Sequence, residues 1–526
     1  MRGPHNIWRL IRTGATFERT GAMQEVLEAM KAPPRLRLAA RVLGWPFKFL
    51  GLRGDPLLPP LVRALTALGP AYIKFGQTLA TRPDIVGTEL ADQLRYLQDQ
   101  LPPFPLAQAR AQFEAEMEMP VDSVFSSFSE PVAAASIAQV HPATVMRDGV
   151  EGRVAVKVIR PGVRRRFMND LESYFLAARL QERFIPATRR LKPVEVTRTL
   201  AQTTKIEMDL RLEAAALSEL GENTKDDPGF RVPWVDWERT GRDVVTMEWV
   251  DGIKMSDVEG LRAAGHDLNA LAATLIQSFL RHTLRDGFFH ADMHPGNLFV
   301  EADGTIVAVD LGIAGRLGRK ERRFLAEILY GFIVRDYRRV AEVHFEAGYV
   351  PRAHDIDAFA QAIRAIGEPI HGQPAETISM ARLLTLLFEV TELFDMATRP
   401  ELVLLQKTMV VVEGVARTLD PAFNMWKTSE PVVGDWIRAN LGPRGLLDDA
   451  REGVSAIVAL ARQAPELAER AERLSREIDA MAENGLRFDD ATADKIGRAE
   501  ARRTRSGRVA LWAIAATLVW IAWRTG

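Results

Sequence analysis

The sequence FHADMHPGNLFVEADGTIVAVDLG, residues 289–312, places several polar side chains between short apolar segments. Its segments GNLFV and TIVAVDLG have the apolar composition of two short strands. Asp303-Gly304, which lies between them, is a dipeptide typical of hairpin turns. This part of the chain is therefore predicted to be a polar loop followed by a hairpin, and the function of the polar loop is the first question that the sequence raises.

The polar loop contains His290 and His294, which are four residues apart. On a helix that spacing would form a zinc pair like the one in H-E-x-x-H, but a Pro-Gly pair follows at once and the glutamate of that motif is missing. In a loop, Asp292 can act as a base and Asn297, five residues on, as a metal ligand, as in the kinase catalytic loop H-R-D-x-x-x-x-N. The alternative is a turn stabilised by Asp and Asn side chains, with no catalytic function.

Two further sequences have the pattern of kinase motifs. Asp310 begins an Asp-Leu-Gly sequence directly after an apolar strand, where kinases carry D-F-G, whose aspartate holds Mg²⁺. Lys157 ends the sequence VAVK within a strand rich in Val and Ile, in the position of the lysine that contacts the α- and β-phosphates of ATP. Together with the polar loop, these residues predict a nucleotide-binding site.

Lys157 shares its face of the strand with Ala155 and Ile159, so its ammonium group lies on a largely apolar face. Because burying an unpaired charge costs several kcal/mol, a lysine there needs an acidic partner. The predicted partner is Glu213, in the helical sequence KIEMDLRLEAA of residues 205–215. The alternative is an edge strand, from which the ammonium group would extend into water.

The same helical sequence contains two other acidic residues. Asp209 and Glu213 are four apart and share a face of a helix, whereas Glu207 points elsewhere. An exposed ion pair with Arg211, four residues on, is a sufficient explanation for Glu207 when these residues are considered alone.

A phosphate-binding loop is normally rich in glycine, and this sequence has no such loop. No two of its glycines are separated by a single residue, so G-x-G-x-x-G is absent, and no Gly-Lys pair exists for a Walker A loop. The small residues of PVAAASIAQVH, residues 131–141, precede the lysine strand and would let backbone N–H groups approach a nucleotide. The alternative is an ordinary alanine-rich packing segment.

The chain of 526 residues exceeds the usual size of one hydrophobic core, so we expect two or more structural units. The net charge of −1 produces no global field that would attract nucleic acid, which we exclude as a partner. The absence of cysteine excludes disulfides, thiolate metal sites and a cysteine nucleophile. Helices come first, then a part with strands, then a mostly helical part with a two-strand insert, and this order favours an α+β protein with two lobes.

The segment from Val509 to Trp523, VALWAIAATLVWIAW, has a single polar residue, Thr517, and is apolar on all sides. A helix of this length spans about 22 Å, compared with roughly 30 Å of hydrocarbon in a bilayer. Its three tryptophans and the arginines that flank it are typical of interfacial anchors and of the positive-inside pattern. We expect a short membrane segment rather than a buried core helix. The main body is expected on the cytoplasmic side because the N-terminus lacks a secretory signal.

These residues, in this order, resemble the UbiB family of atypical protein-kinase-like proteins, which is tied to ubiquinone biosynthesis. The resemblance covers roughly residues 20–430, and the alanine-rich AAASIAQVH, residues 133–141, takes the place of the glycine-rich loop. A K-x-G-Q motif lies in an N-terminal helical extension, and an E-x-D motif lies in a later helix. The residues of these two motifs are Lys74, Gly76 and Gln77, and Glu207 and Asp209.

The resemblance implies a two-lobed protein-kinase-like fold of the α+β class, with an N-terminal helical extension and a C-terminal hydrophobic membrane segment. The K-x-G-Q segment is expected to fold over the active site, where Lys74 approaches Glu207 or Asp209 and blocks the docking of a protein substrate. Bacterial members often end in two hydrophobic spans, whereas only one short segment is found here. The expected divisions are the extension (1–125), an N-lobe (126–252), a C-lobe (253–430), a helical C-terminal region (431–508) and the membrane segment (509–523).

The resemblance also implies a role for each residue of the site. Lys157 would contact the phosphates of ATP, and Glu213 would hold the lysine in place. Asp292 would accept a proton, and His290 would brace its loop. The Mg²⁺ ligands would be Asn297 and Asp310, and the phosphates would be lined by the alanine-rich loop, that is by Ala133, Ala134, Ala135, Ser136, Ile137, Ala138, Gln139 and Val140.

The implied function is that of a Mg-ATP-dependent atypical kinase or ATPase of ubiquinone biosynthesis, which acts at the bacterial inner membrane and is not a conventional protein kinase. Its expected partners are ATP, membrane lipids, intermediates of the quinone pathway and other proteins of that pathway. One alternative is a flavin monooxygenase that hydroxylates polyprenylphenols, against which the missing G-x-G argues. The other is a nucleotide-binding pseudokinase scaffold, against which the intact Asp292 and Asp310 argue.

Overall fold

The computed structural model of the protein describes residues 4–441, apart from a set of internal positions. The chain up to Ile437 forms one compact unit. Within the described residues, no helix is both long enough and apolar enough to cross a membrane. The predicted membrane segment 509–523 and most of the predicted region 431–508 lie outside the described residues. The internal positions left out are 30–32, 81–89, 91–92, 98–102, 136, 148, 185–192, 373–389, 391–392 and 397–399.

The first part of the chain is helical, as the sequence predicts, and prolines mark where several helices begin. Pro34, Pro60 and Pro70 are each the first residue of a helix, where the fixed φ angle of proline fits and its missing N–H breaks no intrahelical hydrogen bond. The helices are α1 (Pro4–Thr20), α2 (Ala22–Ala29), α3 (Pro34–Gly44), α4 (Pro60–Leu68), α5 (Pro70–Ala80), α6 (Leu106–Met117) and α7 (Val121–Val124), with 3₁₀ turns at Trp45–Leu50 and Arg95–Leu97.

The first sheet is antiparallel throughout and has the order β1-β3-β4-β7-β6, with β2 paired to β3. Strand β4 is central, and its second half, residues 154–159, is buried or half-buried on both faces. Val154, Val156 and Val158 pack into one core with Phe113, whereas Ile159 packs into another. The strands are β1 (Ser127–Phe128), β2 (Ala133–Ala134), β3 (Ala138–Arg147), β4 (Val150–Ile159), β6 (Val235–Asp236) and β7 (Val244–Glu248).

Three helices follow β4 along the chain: α8 (Val163–Phe184), α9 (Pro193–Glu207) and α10 (Leu210–Thr224). Helix α8 packs against α9 and also against α1 and α5 of the N-terminal part.

Specific polar and aromatic pairs join α1 and α5 to each other and to α8. The hydroxyl groups of Thr13 and Tyr72 are 2.6 Å apart, and the ring of Tyr72 lies edge-on to that of Tyr174 with 5.0 Å between centroids. Asn6 Nδ2 donates to Glu172 Oε2 at 3.0 Å. The N-terminal extension is therefore packed as part of the same body.

The second half of the chain contains two small sheets and a group of helices. Strands β10 and β11 form the predicted hairpin, in which Leu298 lies opposite Ala308 and Gly304 has the φ of +87° that its turn requires. Strand β9 pairs with β12 and places His290 opposite Ala314. The elements are β5 (Phe230–Arg231), β8 (Ile253–Lys254), α11 (Val258–Ala263), α12 (Leu268–Arg281), β9 (Phe288–His290), β10 (Leu298–Val300), β11 (Ile306–Ala308), β12 (Ala314–Arg316), α13 (Arg319–Ile333), α14 (Tyr337–Glu346), α15 (Ile356–Gly372), α16 (Pro400–Leu419) and α17 (Met425–Leu441).

A buried charge network joins the end of α10 to the segment after α12. Asp227 accepts hydrogen bonds from Arg285 Nη1 at 2.6 Å and from His282 Nε2 at 3.2 Å. Burial opposes the ionisation of Asp227, but these two partners outweigh burial and hold the pKa of Asp227 well below its usual range. The stability that this carboxylate contributes is therefore fully present above about pH 4, and it is lost as the pH falls through the lowered pKa.

Replacing Asp227 with Asn is expected to lower the free energy of unfolding at pH 7 by about 1.5–3 kcal/mol, because it removes the charged acceptor of these hydrogen bonds. The difference from the wild type should shrink as the pH falls from 7 to 3, since Asp227 of the unfolded wild type then takes up a proton while the folded carboxylate stays ionised. Urea denaturation at both pH values measures this, with the exposed neighbour Asp226→Asn as the control. A difference that is independent of pH would contradict the assignment.

Candidate functional site

Lys157 lies in the middle of the first sheet, because its strand pairs with Val140 on one side and with Val245 on the other. Its side chain is 9% exposed. Nζ donates to Glu213 Oε1 at 2.8 Å and Oε2 at 2.9 Å, and to Asp310 Oδ1 at 2.8 Å. The predicted pair of Lys157 and Glu213 is therefore present, and the edge-strand alternative is wrong.

Burial and the positive charge of Lys157 have opposite effects on the pKa values of Glu213 and Asp310. Burial raises the pKa of Glu213 to about 7, although the charge of Lys157 opposes this. Burial also opposes the ionisation of Asp310, but Lys157 outweighs it and lowers the pKa of Asp310 to about 2. The two carboxyl groups in turn outweigh the effect of burial on Lys157 and raise its pKa. At neutral pH the charged lysine is therefore held by an ionised Asp310.

Asp310 is one of the few residues other than glycine with a positive φ, at +62°. This left-handed conformation is uncommon, and Asp tolerates it better than most residues do. The side chain is 42% exposed even though Oδ1 bonds the buried lysine. The carboxylate is therefore held at one end and accessible to a ligand at the other.

The loop that contains Asp292 is held by His290. Burial lowers the pKa of His290, so its ring is neutral and has one donor and one acceptor. Nε2 donates to the Val309 carbonyl at 3.2 Å, and Nδ1 accepts from the Asp292 N–H at 3.1 Å. His290 thus bonds both the strand before Asp310 and the backbone of Asp292, while the Asp292 side chain is half-buried.

The donor groups near this loop fit a magnesium ion. Asn297 Nδ2 donates to the Asp292 carbonyl at 3.1 Å, which orients the amide and leaves Oδ1 as the ligand atom. Asn297 and Asp310 together offer oxygen ligands, and Mg²⁺ is usually held by one or two such residues together with phosphate oxygens and water. Among the described residues, no group of three or more His, Asp or Glu has the arrangement of an all-protein metal site.

The alanine-rich segment forms a hairpin beside the lysine strand. Ala133 lies opposite Val140, and the Ala135 N–H donates to the Ala138 carbonyl at 2.8 Å. Ala133 and Ala135 are exposed, so their backbone is accessible to a nucleotide, whereas Ala138 is buried. The alternative of an ordinary packing segment therefore holds for the buried Ala138 and not for the exposed Ala133 and Ala135.

The alanine-rich hairpin also contains two polar residues, Gln139 and Ser136. The side chain of Gln139 is buried, and it exchanges two hydrogen bonds with the backbone of Phe104, at 2.9 and 3.0 Å. It therefore anchors the hairpin to Phe104, and its side chain is engaged in that contact. Ser136 lies outside the described residues.

The K-x-G-Q sequence lies on α5 and contacts the E-x-D sequence. Lys74 Nζ is 2.5 Å from Glu207 Oε2, and the two side chains are 17% and 7% exposed. Gln77 Nε2 donates to the Leu97 carbonyl at 2.9 Å. At Gly76 a Cβ atom would lie 2.4 Å from Leu97 Cδ1 and 2.8 Å from Leu65 Cδ1, so these side chains would have to move to admit a larger residue.

Comparisons with known proteins agree with this geometry. The ABC1 atypical kinase-like domain family matches residues 96–344, and the UbiB helical domain family matches residues 363–424. A protein of Marinobacter nauticus named "Probable protein kinase UbiB" is 40% identical over 420 residues, which are 79% of this chain and 76% of the relative. This chain belongs to the UbiB family.

Other similar proteins cover more of the chain or have a solved structure. A Klebsiella pneumoniae protein of the same name is 38% identical over 491 residues, which are 92% of this chain and 89% of the relative. A solved structure from Mycobacterium tuberculosis, described as the complex of Rv3197 with erythromycin, aligns with a TM-score of 0.48 and 25% identity, over 68% of this chain and 90% of that one. The UbiB assignment made from the sequence is confirmed, whereas the division into domains stays a prediction.

The E-x-D sequence of this UbiB protein is not part of one continuous helix, and the sequence-based assumption of a shared helix face for Asp209 and Glu213 is wrong. Helix α9 ends at Glu207 and α10 begins at Leu210. Asp209 is extended and caps α10 by accepting from the Arg211 N–H, and the Leu210 N–H donates to a carbonyl outside the helix. Arg211 pairs with Asp209 at 2.7 Å, so the exposed pair of Glu207 with Arg211 is also wrong.

The UbiB helical domain contributes a contact that sequence reasoning missed. Thr408 Oγ1, on α16, donates to the carbonyl of Ala291 at 3.0 Å, directly before Asp292. The local signal is the polar group QKT, residues 406–408, which interrupts the apolar sequence of that helix. Nothing in its spacing indicates which loop it would contact.

Replacing Lys74 with Met is expected to lower the free energy of unfolding by about 3–5 kcal/mol, because Glu207 is left as an uncompensated buried charge. The double variant Lys74→Met with Glu207→Leu should recover most of this loss. Urea denaturation measures both variants. Arg262→Met, which removes one partner of an exposed ion pair, is the matched control and should change stability by less than about 1 kcal/mol. Equal losses in Lys74→Met and Arg262→Met would contradict the structural importance of the buried pair.

Proposed function

We propose that this UbiB-family protein is a Mg²⁺-dependent enzyme that transfers or hydrolyses the terminal phosphoryl group of ATP. The observation that carries the proposal is the contact of the buried Lys157 and Glu213 with the partly exposed Asp310, which His290 connects to the loop of Asp292. Desolvated charged groups that are held in fixed positions beside an accessible carboxylate are typical of sites that act on phosphates.

The proposed site has one group of residues for the nucleotide and another for the acceptor. On the nucleotide side, the exposed backbone of the alanine-rich hairpin would face the phosphates, and the ammonium group of Lys157 would contact their oxygens. Asn297 and Asp310 would hold the metal. When bound, Mg-ATP supplies the transferable phosphoryl group and the metal charge that neutralises its oxygens. On the acceptor side, Asp292 would take the proton of the attacking hydroxyl group or water.

A conventional protein substrate is an unsuitable acceptor for this site. Helix α5 is fixed beside α9 by the buried pair of Lys74 and Glu207, and the tight packing at Gly76 holds the helix close. We propose that α5 covers the surface where a peptide would dock, as the UbiB resemblance implies. Water or a small lipid-like molecule of the quinone pathway is then the acceptor, and the protein supports ubiquinone biosynthesis.

Thermal unfolding of the purified protein with Mg-ATP tests the nucleotide site. Ligand at 100 times its dissociation constant should stabilise the wild type by about 2.7 kcal/mol and raise its Tm. Asp310→Asn should lose the part of the shift that depends on Mg²⁺. Asp292→Asn should keep the shift and lose ATP hydrolysis by roughly 10²–10⁴-fold, because Asp292 acts only in proton transfer. Asp226→Asn is the matched exposed control.

Three results would overturn the proposal in different ways. The absence of a shift with Mg-ATP, together with a shift with FAD, would favour the flavin hydroxylase. A shift in the wild type without any hydrolysis or transfer would favour the pseudokinase scaffold. Full restoration of quinone production by Asp292→Asn in a deletion strain would also favour the scaffold.

The proposed site of action is a membrane surface, and an exposed apolar segment supports this. Between Pro34 and Leu57 the side chains of Trp45, Phe47 and Phe49 are at least half exposed, as are several leucines. Large exposed apolar groups of this kind mark interaction sites. Residues 34–57 also contain five Arg or Lys and a single acidic residue, whereas the whole chain has a net charge of −1. Aromatic side chains among basic ones suit an anionic lipid interface.

A fluorescent label tests this contact, because the chain has no cysteine and accepts a single one. In the full-length protein, an environment-sensitive dye on Phe47→Cys should shift to shorter wavelength with phosphatidylglycerol vesicles, and the shift should weaken with salt. The same dye on Val150→Cys, an exposed position of the first sheet, should not shift. If the protein sediments with vesicles but the emission of the dye at residue 47 does not shift, the proposed contact of residues 34–57 with the membrane would be contradicted. A shift without vesicles would point to burial by the protein itself.

A further inference from the structure

Helix α16 of the UbiB helical domain touches the loop of Asp292 at one buried hydrogen bond. Thr408 Oγ1 donates to the Ala291 carbonyl at 3.0 Å, and it also bonds the Leu404 carbonyl of its own helix at 2.9 Å. Both Thr408 and Ala291 are buried. This bond fixes the position of the helix relative to the loop, and hence the position of the residue that precedes Thr408.

That residue is Lys407, and it stands among the charges of three other elements. Asp292 of the loop, Lys74 of α5 and Glu207 of α9 all act on it electrostatically. Its side chain is partly buried, and burial is the main influence that lowers its pKa. Glu207 is paired with Lys74, and in the described part of the chain no carboxylate lies within ion-pair distance of Lys407.

An ammonium group that is partly desolvated and unpaired is unfavourable for stability alone, since burial weakens its hydration and no partner compensates. Stability therefore gives no reason for a lysine at this position. The loop of residues 290–297 contains no Lys or Arg of its own, and Lys157 is bonded to Glu213 and Asp310 on the nucleotide side. Lys407 is thus a cation near Asp292 that forms no ion pair within the described part of the chain.

We propose that Lys407 is a further residue of the phosphotransfer site, which contacts the transferred phosphoryl group beside Asp292. This rests on the proposed function. In that reaction the bond between the γ-phosphorus and its bridging oxygen breaks, a bond from the acceptor oxygen to phosphorus forms, and the acceptor proton passes to the Asp292 carboxylate. Lys407 keeps its proton and donates hydrogen bonds to the non-bridging oxygens, whose charge it neutralises. The helical domain would then complete the active site of the kinase-like domain.

The experiment compares Lys407→Met, which removes the charge, with Lys407→Arg, which keeps it, in the full-length protein. Removing one donor of this kind typically lowers kcat by about 10²–10³-fold. We expect such a loss in Lys407→Met, with the Kd for Mg-ATP within about twofold of the wild type. Lys407→Arg should restore most of the rate. Lys225→Met, at an exposed lysine after α10, is the control and should leave both values unchanged.

A second readout does not require turnover. Mg-ADP with orthovanadate mimics the transferring phosphoryl group. Tight binding of this Mg-ADP-vanadate complex should be lost in Lys407→Met and kept in Lys407→Arg.

The third readout is the pH profile of the rate. Because the pKa of Lys407 is lowered, the wild-type rate should fall in alkali below the pH at which an ordinary lysine deprotonates, and Lys407→Arg should remove this decline.

The outcomes separate this inference from the proposed function. A wild type that binds no Mg-ATP would overturn both. Suppose that the wild type binds Mg-ATP and that Lys407→Met has the wild-type rate and still forms the vanadate complex. This result would overturn only the role of Lys407. Equal losses of Mg-ATP binding and of Tm in Lys407→Met and Lys407→Arg would mean that the residue is structural, and would likewise overturn the inference.

Discussion

The contact of Lys157 with Glu213 and Asp310 is the constraint on which the rest of the structure depends. It joins the central strand of the first sheet, the helix that follows the E-x-D sequence, and the Asp-Leu-Gly segment of the second half. Lys157 and Glu213 are removed from water, and buried ionisable groups are tolerated only if each finds a partner of opposite charge. The three elements must therefore meet at this point, and their meeting leaves Asp310 with a carboxylate that is both oriented and accessible.

The surroundings of this cluster follow from the same requirement. In the second half of strand β4 the valines pack towards one core and Ile159 towards another, which places Lys157 out of water. His290 connects the strand before Asp310 to the loop of Asp292 through one neutral ring. A displacement of any of these elements would break a bond to a buried polar group, so the contact of Lys157 with Asp310 and the loop of Asp292 keep a fixed relation.

Two further parts of the chain contact the candidate site. The N-terminal extension brings Lys74 to Glu207, and the helical domain brings Thr408 to the carbonyl beside Asp292. Each contact pairs a buried polar or charged group, whose burial without a partner would lower stability. The extension and the helical domain are therefore bound to the candidate site by specific pairs.

Short-range patterns in the sequence determined much of this protein. The spacing of Asp292 and Asn297, the Asp-Leu-Gly sequence, the apolar strand of Lys157 and the hairpin at Gly304 depend on residues close together in the chain, where strand alternation and turn preference act directly. The partner of Lys157 was also predictable, because a buried lysine requires an acid and few acids lie on a nearby helix. Motif resemblance added the contact of Lys74 with the E-x-D sequence, which the residues alone did not indicate.

Only the tertiary structure decided the rest. The helix break before Leu210 depends on a carbonyl supplied by a distant loop, so the local sequence predicted a continuous helix and a wrong shared face for Asp209. Gln139 anchors its hairpin to Phe104, although its position in the alanine-rich loop indicated a ligand contact. The position of Lys407 beside Asp292 has no local signal beyond a polar interruption of an apolar helix. In each case the deciding partner is far away in the chain, and its position is set by how helices and sheets pack against one another, which local patterns do not encode.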